Sequence, residues 1–140
     1  LIKNYQMSDS SYAMSLSLFP ENSYVLNNFS YYLSLRNQKL NKALEMMSLC
    51  VSISPNISSY EDTYAWIYYK MQDYKKALIW IEKSIENGGN ESSVILEHYG
   101  DILFKLGQEE LALKQWIKSK QLDSKSDLID KKIQDKKLYE

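Results

Sequence analysis

Apolar and small positions recur along the chain in blocks that superimpose on one another. Ala43, Ala77 and Ala112 lie 34 and 35 residues apart, and each is followed by a leucine, Leu44, Leu78 or Leu113. Four residues past each alanine stands a large apolar side chain, Met47, Ile81 or Trp116. Three further on comes a small one, Cys50, Ser84 or Ser119. Upstream, Ser30, Ala65 and Gly100 form a second small column, each preceded by an aromatic, Phe29, Tyr64 or Tyr99. Leu33, Tyr68 and Leu103, four residues after those aromatics, share their helix face. A period in the mid-thirties with small and large residues at fixed offsets marks stacked helical units, each too thin to bury its apolar face alone.

The breaks keep the same period. Pro20, Pro55, Gly88–Gly89 and Asp123–Ser124 end the long blocks, and Arg36–Gln38, Gln72–Asp73 and Leu106–Gly107 divide them. The pattern predicts helix pairs over 22–36 and 39–53, 58–71 and 74–87, and 92–106 and 109–122. One extra residue falls in the Arg36–Leu40 turn and another in the Gly88–Gly89–Asn90 linker, where insertions cost little. Residues 3–18 read as the second helix of an earlier pair, with Ser8, Tyr12 and Ser15 in the places of Ala43, Met47 and Cys50. From about Lys125 the repeat stops. Leu128, Ile129, Ile133 and Leu138 there predict a helix with a narrow apolar stripe and a wide solvated lysine- and aspartate-rich face. That is the polar lid an array needs over its last unit. A basic membrane-surface helix is the alternative, disfavoured by the interspersed acidic residues.

Within a pair, the alanine methyls allow the two helices to cross closely, and the aromatics of the first helix fill the remaining space. This order of small and large residues resembles the tetratricopeptide repeat. It is carried by Leu26, Phe29-Ser30, Leu33, Ala43, Met47, Cys50 and Pro55, by Tyr64-Ala65, Tyr68, Ala77, Ile81 and Ser84, and by Leu96, Tyr99-Gly100, Leu103, Gly107, Ala112 and Trp116. The resemblance implies an all-α, right-handed solenoid forming a single domain over 1–140. Its parts are a half-repeat (1–20), three repeats (21–56, 57–90, 91–124) and a capping helix (125–140). Departures are Glu61 in place of a large apolar residue, Gln72 where glycine often closes the turn, and Gly89 and Ser124 where proline is common. The strings Asp62-Thr-Tyr-Ala-Trp-Ile-Tyr-Tyr-Lys and Leu96-Glu-His-Tyr-Gly-Asp resemble the carboxy-terminal repeats of bacterial cell-envelope tetratricopeptide lipoproteins, which implies a periplasmic, outer-membrane-anchored parent.

Composition narrows the function classes. A formal charge of −1 with no long lysine or arginine block argues against a nucleic-acid partner. No apolar run approaches the roughly 18 residues of a spanning helix, so membrane insertion by this segment is not expected. Cys50 is the single cysteine, which excludes an intrachain disulfide and a zinc cluster. It stands in a small-residue packing column and reads as an inert core thiol. A start at Leu1 without a leader suggests a fragment of a longer protein.

No catalytic constellation is found, and no cofactor or metal is expected. His98, flanked by Glu97 and Asp101, is the one place where a metal or acid–base pair could be imagined, but a second histidine, a nucleophile–base pairing and a phosphate loop are all lacking. The resemblance implies that the first helix of each pair lines a concave groove. The candidate partner-binding residues are then Asn27 and Tyr31, with Ser34 beside them, in the first unit. Asp62, Trp66, Tyr69 and Lys70 follow in the second, and Glu97, His98, Asp101 and Lys105 in the third. Relatives that clamp a terminal carboxylate use lysine and asparagine there, so three acidic residues argue against such a clamp. The expectation is a non-catalytic protein–protein interaction module whose partner peptide carries a basic residue beside an apolar anchor. The alternative is a structural or assembly domain that self-associates or docks within its parent, its concave face filled by residues 1–20 of its own chain.

Overall fold

Local capping chemistry sets where each helix starts and stops. The computed structural model describes residues 2–140, with the side chains of all but 2–4, 6 and 7. Among the described residues every regular element is helical: α1 (Ile2–Leu18), α2 (Ser23–Leu35), α3 (Leu40–Ile53), α4 (Ser58–Lys70), α5 (Tyr74–Glu86), a 3₁₀ turn (Gly89–Glu91), α6 (Ser93–Lys105), α7 (Glu109–Gln121) and α8 (Ile129–Asp135). The six helices α2 to α7 begin and end within one residue of the limits read from the sequence. The helix read over 3–18 is α1; Leu1, where the expected half-repeat begins, lies outside the described residues. Asn22, Asp73 and Ser92 cap α2, α5 and α6, each side chain accepting a backbone N–H three residues on. At the turn inside each pair, Asn37, Gln72 and Gly107 have φ of 53°, 62° and 81°. There the next N–H returns to a helix carbonyl, Gln38 to Leu33, Asp73 to Tyr68 and Gln108 to Leu103. Glycine adopts that backbone freely, whereas Gln72 does so at a cost.

The helices pair as α2–α3, α4–α5 and α6–α7, and the pairs stack in chain order, with α2, α4 and α6 meeting along one face. The small columns are where helices meet: Ser30, Ala43, Cys50, Ala65, Ala77, Ser84, Ala112 and Ser119 have no solvent exposure. Gly100 is the tightest crossing, since a β-carbon there would lie 2.4 Å from Trp116 Nε1. Each pair is also clasped at one end. Cys50 Sγ, Ser84 Oγ and Ser119 Oγ donate to the backbone carbonyls of Ser23, Ser58 and Ser93, at 3.3, 2.7 and 2.6 Å. The clasps join the start of each first helix to the last turn of the second, so the pairs are antiparallel. Burial pushes the Cys50 thiol up to about 11, with its hydrogen bond to Ser23 opposing, which leaves it un-ionised near neutral pH.

At one end α1 packs on α2, Tyr12 stacking on Phe29 at 5.3 Å and Asp9 pairing with Arg36 at 2.8 Å. At the other end α8 packs on α7, with Ile129 buried against Leu103, Ala112 and Trp116. The capping helix is shorter than expected, and it carries a correction. Lys132, read as part of the solvated face, is only 3% exposed because α8 turns it inward toward α6.

Candidate functional site

α2, α4 and α6 run side by side on one face, the face expected to be concave. Side chains one turn apart on α4, Trp66 and Tyr69, stack at 4.4 Å with their planes 7° apart. His98 of α6 also stacks on Trp66, at 3.9 Å with the planes 18° apart. This aromatic layer bridges the second and third units. Lys70 lies over the Trp66 ring at 5.4 Å, and the indole Nε1 is buried without a hydrogen-bond acceptor.

The acidic residues stand around this layer. Asp62 lies 2.8 Å from His98 Nδ1, and because a carboxylate only accepts, the ring N–H donates. Burial works against a charge on His98, but Asp62, with Asp101 and Glu97 adding to it, outweighs it and the imidazole is held above its ordinary value. Glu97 and Asp101 converge on the Lys132 ammonium, at 2.8 Å for Glu97 and 2.9 and 3.1 Å for the two Asp101 oxygens. Asp101 also accepts from Trp116 Nε1 at 3.0 Å, and Glu97 from Ser126 Oγ at 2.8 Å. Burial raises the Asp101 carboxyl to about 6, with Lys132 pulling the other way. Further along, Glu140 accepts from the Tyr69 hydroxyl and lies 3.4 Å from Lys105 Nζ.

A cavity of about 240 Å³ remains between this wall and the tail. It gathers Trp66, Tyr69, Lys70, Glu97, His98 and Asp101 from the concave helices, with Leu128, Lys132, Tyr139 and Glu140 closing it from the tail. Asp62 stands behind the cavity through His98, and Lys105 beside it through Glu140. Asn27 and Tyr31 do not reach it. They lie on α2, half-buried, with Tyr31 close enough to Asp62 that burial and that charge together raise its hydroxyl.

Two expectations need correcting. Asp62 and Asp101 are on the expected face but not open to solvent, at 7% and 4% exposure, and Trp66 is 9% exposed. Each is covered or engaged within the chain. The segment that covers this face at the third unit is the tail from Ser126 onward, while among the described residues of 1–20 the contacts are with α2 at the other end. Lys132 is the key residue that sequence reading missed, and its signal was its register. It falls three residues after Ile129 and next to Ile133, inside the apolar stripe rather than opposite it. The serines at 23, 58 and 93, which receive the clasps, also repeat at 35-residue intervals.

No group of histidine, cysteine, aspartate and glutamate side chains among the described residues is arranged to hold a metal ion. No helix among them is long and apolar enough to cross a membrane. The family model of the tetratricopeptide repeat matches residues 63–87, from the middle of α4 to the end of α5. No curated protein matches the chain. Among solved structures, YrrB, a TPR protein with an unusual peptide-binding site, is 23% identical with a TM-score of 0.69 over 80% of this chain; the chain spans 57% of YrrB. The first TPR of Spaghetti (RPAP3), bound to the HSP90 peptide SRMEEVD, is 13% identical with a TM-score of 0.73, over 81% of this chain and 89% of that one. The Sgt2 TPR domain from Aspergillus fumigatus is 18% identical with a TM-score of 0.72, over 81% and 76%. At these identities the likeness is one of fold.

Proposed function

Starting from a chain that carries a tetratricopeptide repeat and has the fold of tetratricopeptide proteins, we propose a non-catalytic protein-interaction module. Its concave face receives a partner segment that presents a lysine or arginine beside an apolar residue. One observation carries this reading: the Lys132 ammonium rests between Glu97 and Asp101 while Ile129, one turn earlier, is buried beside it. A surface that holds one lysine with an aliphatic neighbour has the chemistry to hold another. The first TPR of Spaghetti is bound to a peptide with two glutamates and an aspartate. The acidic wall here favours the opposite charge, so the ligand class differs while the mode of use is shared. His98 and Asp101 support the non-catalytic reading, since both are committed to partners within the fold.

The test is selection of peptides from a random library on the full chain, followed by titration. Enriched sequences should carry a basic residue within one helical turn of an aliphatic one, and affinity should fall with salt and by about tenfold in Glu97→Gln. Selected peptides without basic enrichment, or binding indifferent to salt and to Glu97→Gln, would sink the reading.

A second reading is a structural or assembly role, with the groove a permanent dock for the chain's own tail. The contacts of Lys132 and Glu140 favour it. Self-association belongs with it, through the α1 edge where Met14, Leu18 and Phe19 are 64%, 66% and 64% exposed; mass measurement in solution tests this. The cell-envelope location suggested by the short strings around Trp66 and His98 is likewise a proposal, tested by fractionating source cells.

A further inference from the structure

The tail fits the concave face incompletely. Its helix, α8, has seven residues, too few to hold together in water without docking. Its anchoring charge is buried, and a buried ion pair gives little net stability compared with apolar packing in the same space. It leaves a cavity of about 240 Å³ unfilled, lined in part by Trp66 and Tyr69 and by its own Leu128 and Tyr139. What it does satisfy is specific. All three Lys132 contacts and the Ser126 contact go to two carboxylates of α6, and Ile129 fills the apolar site beside them.

We propose that residues 126–140 are an internal competitor: a pseudo-ligand that occupies the concave surface of the third unit until a partner segment with a lysine one turn after an aliphatic residue replaces it. This rests on the interaction-module reading and adds its regulation. The partner segment resembles Leu128–Lys132 in pattern but extends further, across the aromatic layer. Tethering keeps the tail at an effective concentration on the order of millimolar, so weak contacts suffice to hold the site against weak ligands.

The test uses the full chain, wild type and Lys132→Ala, with a fluorescein-labelled peptide of the sequence 125–140 as probe and circular dichroism as the folding control. Lys132→Ala should bind the peptide at least tenfold more tightly than wild type, and adding Glu97→Gln should remove that gain. Equal affinities for wild type and Lys132→Ala, or binding to neither, overturn the proposal. If Lys132→Ala fails to fold, hydrogen exchange on the wild type decides. Millimolar peptide must speed exchange of the Lys132 amide, which is bonded to the Leu128 carbonyl at 2.9 Å, and unchanged exchange overturns the proposal. Library-selected foreign peptides separate the two ideas. If they bind wild type and Lys132→Ala equally, the interaction module stands and the competitor falls. If the tail peptide binds Lys132→Ala but no foreign peptide is ever selected, the tail is a permanent dock and the competitor falls as well.

Discussion

Gly100→Ala is the most discriminating single test of the packing scheme, because propensity and sterics push in opposite directions. In a helix interior, alanine is favoured over glycine by about 1 kcal/mol, so local preference alone predicts a gain. The added methyl at α6 would meet Trp116 Nε1 at 2.4 Å, Cδ1 at 2.5 Å and the Ala112 carbonyl at 3.1 Å. Trp116 has no solvent exposure, stacks on Phe104 at 5.8 Å and donates to Asp101, so the indole has nowhere to retreat without losing contacts. Overpacking costs about 1–3 kcal/mol, and weakening a hydrogen bond to a carboxylate adds roughly 1.5–3. After the helical gain is subtracted, a net loss of about 1.5–5 kcal/mol is expected by urea unfolding. The second unit shows the remedy: Ala65 there faces Ile81, a smaller partner than Trp116. Gly100→Ala/Trp116→Ile should therefore be less destabilised than the sum of its two single changes. A Gly100→Ala protein as stable as wild type, or a double mutant that is simply additive, would refute the reasoning.

Gln72→Gly should raise stability by about 0.5–1 kcal/mol in the same assay, because φ is 62° there and Gly107 occupies the matching place in the next unit; no gain would mean the turn is not strained. Ser84→Ala should cost about 1 kcal/mol through loss of the 2.7 Å bond to the Ser58 carbonyl, while Ser52→Ala, at an exposed site, should be near neutral. In both Asp101 and His98 the folded state holds its proton more tightly than the unfolded chain does. Burial raises Asp101 to about 6, Lys132 opposing, so its contribution to stability falls as pH rises from about 4 to 6. For His98, with burial opposing and Asp62, Asp101 and Glu97 together prevailing, the stabilisation is full below 6.5 and is lost as pH climbs through the raised folded value. The stability difference between wild type and His98→Gln should accordingly shrink as pH is raised above 6.5, and a constant difference would contradict the assigned pairing with Asp62.

The helix pairs were legible because the columns at Ala43, Ala77 and Ala112 and at Ser30, Ala65 and Gly100 report contacts made inside each unit at fixed sequence distance. The same logic placed Cys50 in the core. The candidate site was legible only as a face. That Trp66 stacks on His98 depends on how neighbouring units abut, and no offset within one unit encodes it. The burial of Asp101 depends on Lys132, which lies after the period has stopped and 31 residues away. Charge alone marked Lys132 as solvated; only its place between Ile129 and Ile133 pointed inward. Glu61, which departs from the apolar pattern, is buried yet accepted because both its oxygens take hydrogen bonds from Asn87 at 2.9 Å.

The clasps at Cys50, Ser84 and Ser119 have a consequence for the order in which the molecule forms. Each closes a loop whose ends are 26 or 27 residues apart, so every unit completes itself with contacts that are short-range along the chain. Chains rich in such contacts fold quickly, and a nucleus can arise in any unit and spread to its neighbours. The tail obeys a different rule. Lys120 pairs with Asp130 only ten residues on, but the other bonds to the array reach back 29 to 71 residues, to Glu97 and Asp101 of the third unit and to Tyr69 of the second, so the full set needs both units in place. The tail can therefore complete its contacts only on a third unit already formed and set against the second: the array has a finished state that precedes its closed one.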